Sequence, residues 1–470
     1  MKAIAAFDVS GTVFMSTPTE LVTPINPALP RGGMREMGLL AYPVILTQMS
    51  MTAMQFVDTA MVGRLGAVEL GAVGFGGIWL WTLLCLFLGT ATGVQTFVSQ
   101  EDGAGNPSRC APWVWQALYV LVPGTMIVSA VLWFTLEPFL GLLGPSPELQ
   151  ETAGSYLRPR LLGAVGLSMA MTLSSFFRGI GDTRTPLYAT LAANTVNAVL
   201  DYGLIFGKFG LPEWGVVGAG TATAIAEWVY AGFMWIAFSR SWIRRKYSGT
   251  PVAPESEKVR RFVRTGLPIG GQWVLDMFAF AVFSTLIARM GNAEMAASQA
   301  FVVLLSLSFM QAIGISVASS TLVGRYLGAR DIRAARQSFR SSQKFAAVLA
   351  CLIAIPLLTL PEQLLSVFSD DPEVLRLGRP LVMLGALFQL LDAFGIVAAG
   401  ALRGAGDTRW PLVVQTLLAW GVFLPLGWLL GVHLDGGPTG AWIGGSIYVS
   451  LLALALIWRF RSGAWEQIQI

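Results

Sequence analysis

Two nine-residue stretches, RGIGDTRTP from Arg178 to Pro186 and RGAGDTRWP from Arg403 to Pro411, agree at seven positions and stand 225 residues apart. The same offset relates Pro43 to Pro268, Arg64 to Arg289, Gly66 to Gly291, Glu69 to Glu294, Val98 to Val323 and Gly103 to Gly328. Nearly the whole chain is therefore one half-unit of roughly 200 residues built twice. Internal repetition in an apolar chain points to secondary transporters, whose substrate sites lie where the repeats meet.

The solvent of this chain is lipid. Hydrophobic residues make up 54% and charged residues only 12%, with a mean hydropathy of +0.63, outside the range of soluble domains. Twelve apolar runs are long enough to cross a hydrocarbon core as helices: 38–62, 70–98, 111–136, 156–177, 186–207 and 215–239, then 262–288, 295–322, 343–361, 376–402, 410–432 and 438–459. The runs are continuously apolar, unlike the alternating strands of a barrel, so the fold class is an all-α membrane protein. Six helices fall in each repeat. An even number gives both lobes the same orientation, related by a pseudo-two-fold axis along the membrane normal.

Most of the 31 Lys and Arg residues fall on one side if the N-terminus is cytoplasmic, as the positive-inside rule requires. Both termini are then cytoplasmic. The strongest basic segments are the linker Arg240 to Arg264 and a loop from Arg325 to Lys344. Residues 1–33, rich in Pro and Thr, read as a mobile cytoplasmic tail; 34–239 as the N-lobe; 240–261 as a linker; and 262–462 as the C-lobe. The net charge of +4 expresses the inside bias, and no basic soluble domain invites nucleic acid. Cys85, Cys110 and Cys351 have no metal or disulfide spacing and read as packing residues. The single histidine, His433, reads as a solvated loop residue near the outer end of the eleventh span.

In the repeated motif, glycine suits a left-handed helix end, Asp or Thr caps the next helix, and Pro186 and Pro411 fit its first turn. Arg178 and Arg403 favour the C-terminal dipole of the preceding helix. Helix capping is the first reading of Asp182 and Asp407, and gating through cytoplasmic salt links the second.

The chain resembles the multidrug and toxic compound extrusion transporters, more closely their NorM-like bacterial branch. The marks are PVILTQMSMTAMQFVDTAMVGRLG in the first span, RGIGDTRTPLYATLAANTVNAVLDYGLIFG across the fourth and fifth, GLPIGGQWVLDM in the seventh and FQLLDAFGIVAAGALRGAGDTR in the tenth. The resemblance implies a twelve-helix antiporter of the bacterial inner membrane, with two lobes around a V-shaped cavity. It would export small organic cations in exchange for protons or sodium, with no other cofactor.

Five carboxylates lie inside the spans: Asp58, Asp201, Glu227, Asp276 and Asp392. Each costs about 2.5–3.5 kcal/mol at mid-membrane, so the default reading is a functional site. By resemblance, Asp276 and Asp392 are the cation-binding acids of the second lobe and candidate sodium ligands. Asp276 stands where Glu is more usual, and Phe388 where Tyr is often found. Fewer oxygens disfavour sodium, which shifts the expectation toward protons. Asp58 matches the aspartate of the family's first helix. Asn197 and Asp201, four apart on one helix face, match the polar pair that partners it, and Asn194 lies on the adjoining face. Glu227 matches no family position; an Asn partner or attraction of cationic substrate are its two readings.

Trp273, Phe278 and Phe388, with Asp276, Asp392 and Glu227, are the candidate substrate contacts, since aromatic faces suit flat cations. The same residues also serve as ordinary packing in a chain with 16 Trp and 27 Phe. Pro43 and Pro268 are candidate hinges. One histidine, and no nucleotide-binding motif, argues against an enzyme or a primary pump. A flippase for lipid-linked precursors is the alternative transporter; the related flippases usually have fourteen helices and a more basic cavity. One chain already holds both lobes, so a monomer is expected.

Overall fold

The computed structural model describes residues 30–144, 146–368 and 371–468. Most of the expected tail, residues 1–29, lies outside the described residues. Every regular element among them is helical, because apolar chain in lipid must satisfy its backbone hydrogen bonds internally. The first half holds α1 (Met34–Val62), α2 (Ala67–Gly103), α3 (Cys110–Leu142), α4 (Pro147–Gly179), α5 (Arg184–Phe206) and α6 (Gly215–Phe238), followed by a short α7 (Ser241–Tyr247). The second half holds α8 (Ser256–Ala288), α9 (Asn292–Gly328), α10 (Ile332–Thr359), the short α11 (Pro361–Ser366), α12 (Pro372–Gly404), α13 (Arg409–His433) and α14 (Gly437–Arg461). Within α13, Ala419–Phe423 and Leu429–His433 widen into π-helical turns.

Each expected span falls on one of the twelve long helices. Ten are apolar enough to cross a membrane on length and composition alone. The other two, α5 and α6, carry Asn194, Asn197, Asp201 and Glu227, which lowers their apolarity.

Charge misleads in two places. The segment expected as a loop from Arg325 to Lys344 is mostly helix, because Arg333, Arg336, Arg340 and Lys344 share one exposed face while Ala334, Ala335, Ser338 and Phe339 are buried on the other. Likewise α8 starts at Ser256, inside the expected linker, and α7 fills another part of it. Residues 30–33, assigned to the tail, are tied down. Buried Glu36 accepts from the Gly32 N–H at 2.7 Å and from the Tyr326 hydroxyl at 2.9 Å, and Ser341 Oγ donates to the Gly32 carbonyl at 2.6 Å.

The duplication is kept to the residue: α2 and α9, and α4 and α12, have boundaries that differ by the sequence offset at both ends. Packing is duplicated too. α1 packs on α5 of its own half and on α9 and α10 of the other, while α8 packs on α13 and on α2 and α3. The halves meet reciprocally where α2 crosses α9. A Cβ on Gly103 would strike the Arg325 carbonyl, and one on Gly328 the Gln100 carbonyl, so only glycine permits this approach. Thr96 Oγ1 donates to the Arg403 carbonyl and Thr321 Oγ1 to the Arg178 carbonyl, both at 2.9 Å. An Asp102–Arg325 ion pair at 3.3 Å joins the same end.

α1 and α8 each cross from one half to the other. Met37, Leu40 and Ala41 of α1 belong to a second-half core, whereas Val62 belongs to the first-half core. In α8, Phe262 belongs to the first-half core and Ala279, Phe283 and Ile287 to the second. Pro43 and Pro268 sit between the two ends of each helix; neither starts its helix.

The repeated motif ends α4 and α12 in the same way. Gly181 and Gly406 take φ of +84° and +86°, and the amides of Asp182 and Asp407 close back on the carbonyls of Phe177 and Leu402 at 2.9 Å. The side chains then diverge. Asp182 accepts from the Thr185 amide at 3.0 Å and its hydroxyl at 2.6 Å, a helix cap. Asp407 instead pairs with Arg459 of α14 at 2.7 Å, and the Arg459 guanidinium lies over the Trp410 ring. Capping therefore explains the first copy only. The second copy has Trp410 in place of Thr185, and Arg459 in place of Met234.

Candidate functional site

The acids form two groups, one in each half. In the first, the carboxyls of Asp58 of α1 and Asp201 of α5 are close neighbours that act on each other. Asn197 Nδ2 donates to Asp201 Oδ2 at 2.8 Å, as their four-residue spacing predicts. One turn earlier, Asn194 Nδ2 holds α1 through the Ser50 carbonyl at 3.0 Å and its hydroxyl at 2.8 Å. Glu227 of α6 is not paired with an Asn. It forms a buried ion pair with Arg160 of α4 at 3.1 Å, and Tyr156, one turn from Arg160, borders the same group. The close α4–α6 contact follows from small residues: Gly163 leaves no room for a Cβ beside Glu227 and Ala224, nor does Gly220 beside the Tyr156 carbonyl.

In the second half, Gln415 of α13 donates to both carboxylate oxygens of Asp276 on α8. Arg403, buried at the end of α12, reaches Gln272 Oε1 at 3.4 Å and lies within electrostatic range of Asp276. Asp392 of α12 is half-buried, and among the described residues no hydrogen bond or ion pair holds it. Tyr448 of α14 lies within electrostatic range of both Asp276 and Asp392. Among the described residues no three His, Cys, Asp or Glu side chains converge as a metal site.

The aromatic candidates separate. Phe388 is buried against Phe301 within the second-half core, and Trp273 packs on the first-half core. Phe278 is half exposed and stacks near Trp420. His433 is part of α13 and stacks on Trp428. Cys85 and Cys110 are buried, as packing residues are, whereas Cys351 is exposed. A cavity of about 630 Å³ opens between the C-terminal ends of α8 and α13, lined by Thr285, Arg289, Trp428 and Asp435; neither Asp276 nor Asp392 lines it.

Three residues in these groups escaped the sequence reading. Arg160 lay inside the fourth apolar run beside an excess of acids, a signal that a buried base was needed. Gln415 was the one amide in PLVVQTLLAWG. Tyr448 carried no local signal.

The MatE family matches residues 43–203 and again 268–429, one copy per half and in the same register. Over 455 residues the chain is 32% identical to the multidrug resistance protein PmpM of Pseudomonas aeruginosa, covering 93% of this chain and 95% of that protein. It is 29% identical over 437 residues to the probable multidrug resistance protein NorM of Thermotoga maritima, covering 92% and 93%. A MATE structure in the bent conformation overlays with a TM-score of 0.83 at 19% identity, covering 96% of this chain and 99% of that one. The eukaryotic MATE transporter AtDTX14 overlays with 0.81 at 20%, covering 92% and 96%. Family match, relatives and two-lobe fold agree: this chain belongs to the MatE family of multidrug and toxic compound extrusion transporters.

Proposed function

We propose that the chain exports small organic cations in exchange for protons by alternating access, from a bacterial plasma membrane and with both termini cytoplasmic. The Asp58–Asp201 pair carries the proton, and Asp276 and Asp392 receive the cation. The juxtaposition of the Asp58 and Asp201 carboxyls carries this reading, because two carboxylates so close in a low-dielectric site do not both ionise, and the pair retains a proton. A second proton neutralises the pair; loss of one leaves an uncompensated charge in lipid.

Coupling needs each site to be felt by the other half. α1 supplies a route, since one end packs in the second-half core and the other carries Asp58, with Pro43 between. α8 mirrors it, with Pro268 between its first-half end and Asp276. The names of the bacterial relatives, multidrug resistance proteins, support drug-like substrates.

The test is ethidium movement in proteoliposomes under a pH gradient, and separately a sodium gradient, with the membrane potential clamped. Wild type should respond to the pH gradient, and Asp58→Asn and Asp201→Asn should each lose at least tenfold of that response while staying folded. A response to sodium alone would overturn the proton assignment, and no response to either would sink the antiport reading.

A further inference from the structure

The first-half group contains a fixed positive charge that the proton-carrying step does not itself need. Arg160 stays protonated at any pH a cell meets. It is ion-paired with Glu227 and acts electrostatically on Asp58 and Asp201 as well. The titratable groups around the pair are Tyr156 and Arg160 from α4, Asp201 from α5 and Glu227 from α6, with the Asn197 amide beside them. Among the described residues α2, α9 and α10, the remaining helices against α1, bring no charge that acts on the pair. Four buried polar atoms in this one group lack a protein partner: Asp58 Oδ1, Asp201 Oδ1, Glu227 Oε2 and Arg160 Nε.

Charge bookkeeping decides what the group accepts. Arg160 and Glu227 cancel. Asp58 and Asp201, sharing one proton, leave a single negative charge, which one further proton neutralises. A metal cation would need both aspartates ionised to surround it, against the repulsion of a guanidinium that already acts electrostatically on both. Such repulsion in a low-dielectric site is not screened by water. A neutral amide or a water at the position of Arg160 would leave the acids open to it.

We propose that Arg160, held in place by Glu227, is a specificity-determining and positioning residue: it restricts the first-half site to protons and excludes sodium. This rests on the proton-antiport reading above. Glu227 keeps the guanidinium from collapsing onto Asp58 and Asp201, so the pair is biased by the charge without being locked in a salt bridge.

The experiment reads protonation directly, by infrared titration of the carboxyl band of purified protein in lipid nanodiscs. Asp58→Asn assigns the band, and sodium chloride is compared with choline chloride. In wild type the profile should be the same in both salts. Arg160→Gln should move half-release to higher pH by about one unit or more and make it sodium-sensitive. Glu227→Gln, which frees the guanidinium, should move it to lower pH. The double Arg160→Gln/Glu227→Gln variant should return near wild type, and Arg160→Lys should keep the wild-type position if it folds. Shifts of the two single variants in the same direction, no shift, or a sodium-sensitive wild type would overturn the proposal. The readout needs no transport, so a wild type that ignores a pH gradient in liposomes sinks the antiport reading separately.

Discussion

In the first half, Asp58, Arg160, Asp201 and Glu227 stand where the second half has Phe283, Gly385, Leu426 and Leu452. In the second half, Asp276, Asp392 and Gln415 stand where the first has Met51, Leu167 and Thr190. What the two copies share is scaffold: the glycines at the α2–α9 crossing, the threonines that tie α2 and α9 to the motif carbonyls, the mid-helix prolines and the left-handed glycine of each turn. Even vacated space is reused structurally, since Gly385 leaves room for the Phe301 ring where the first half carries Arg160. Two-fold packing demands identical small residues at its contacts, whereas nothing in packing demands that charge be repeated. The halves therefore differ most in their buried chemistry, and a division of labour can be tested by damaging one at a time.

The largest effect is expected from Asp276→Asn combined with Asp392→Asn. If the second half receives the cation, equilibrium binding of ethidium, followed by fluorescence anisotropy in detergent, should weaken at least tenfold, and driven efflux should fall to the level of empty liposomes. Asp58→Asn should leave ethidium binding within about twofold while abolishing the response to pH. These magnitudes correspond to about 1.4 kcal/mol or more against less than about 0.5 kcal/mol. Equal loss of binding in both variants would mean that the halves share one site.

A smaller effect separates the two copies of the motif. Asp407→Ala strands Arg459, part-buried between α12 and α14, and should cost up to about 3 kcal/mol. Asp182→Ala loses only a cap, about 1 kcal/mol. Thermal unfolding in detergent should show the larger loss for Asp407→Ala, and Asp182→Asn should be close to neutral because Asn caps as well as Asp. Equal losses would mean that the Arg459 pair contributes no more than a cap.

The contrast also explains what could be read from the sequence. Spans, duplication and hairpin turns were legible because lipid leaves the backbone one solution, and because a two-fold contact forces the same residue at two positions. The five buried acids were legible for the opposite reason, being costly where they stand. Of their partners, Asn197 was legible from its four-residue spacing to Asp201, and those on other helices of the bundle were mostly not. Arg160 and Glu227 are on non-adjacent helices, and no local pattern joins them; the offset was no help because neither residue is repeated. The Arg325 to Lys344 segment failed differently: basic residues signal the membrane's edge, and their helical spacing was masked by that signal. Asp182 and Asp407 show the limit of motif reading, since identical sequence was turned to different use by Thr185, Trp410 and Arg459.

The smallest effect concerns a hydroxyl. The family pattern often places Tyr at the position of Phe388, which suggests that this chain lacks a phenol near its cation-binding acids. Phe388 is packed against Phe301 in the core, however, and Tyr448 lies near both Asp276 and Asp392 from α14. If Tyr448 supplies that phenol, Tyr448→Phe should weaken ethidium binding about three- to tenfold, the worth of one hydrogen bond of about 0.5–1.5 kcal/mol, without altering the pH dependence set by the first half. Phe388→Tyr should bring no gain in affinity and should lower stability, because its hydroxyl enters a packed aromatic cluster with no partner. Tighter binding in Phe388→Tyr, with Tyr448→Phe unchanged, would return the phenol's place to α12 and leave Tyr448 as packing against Phe423.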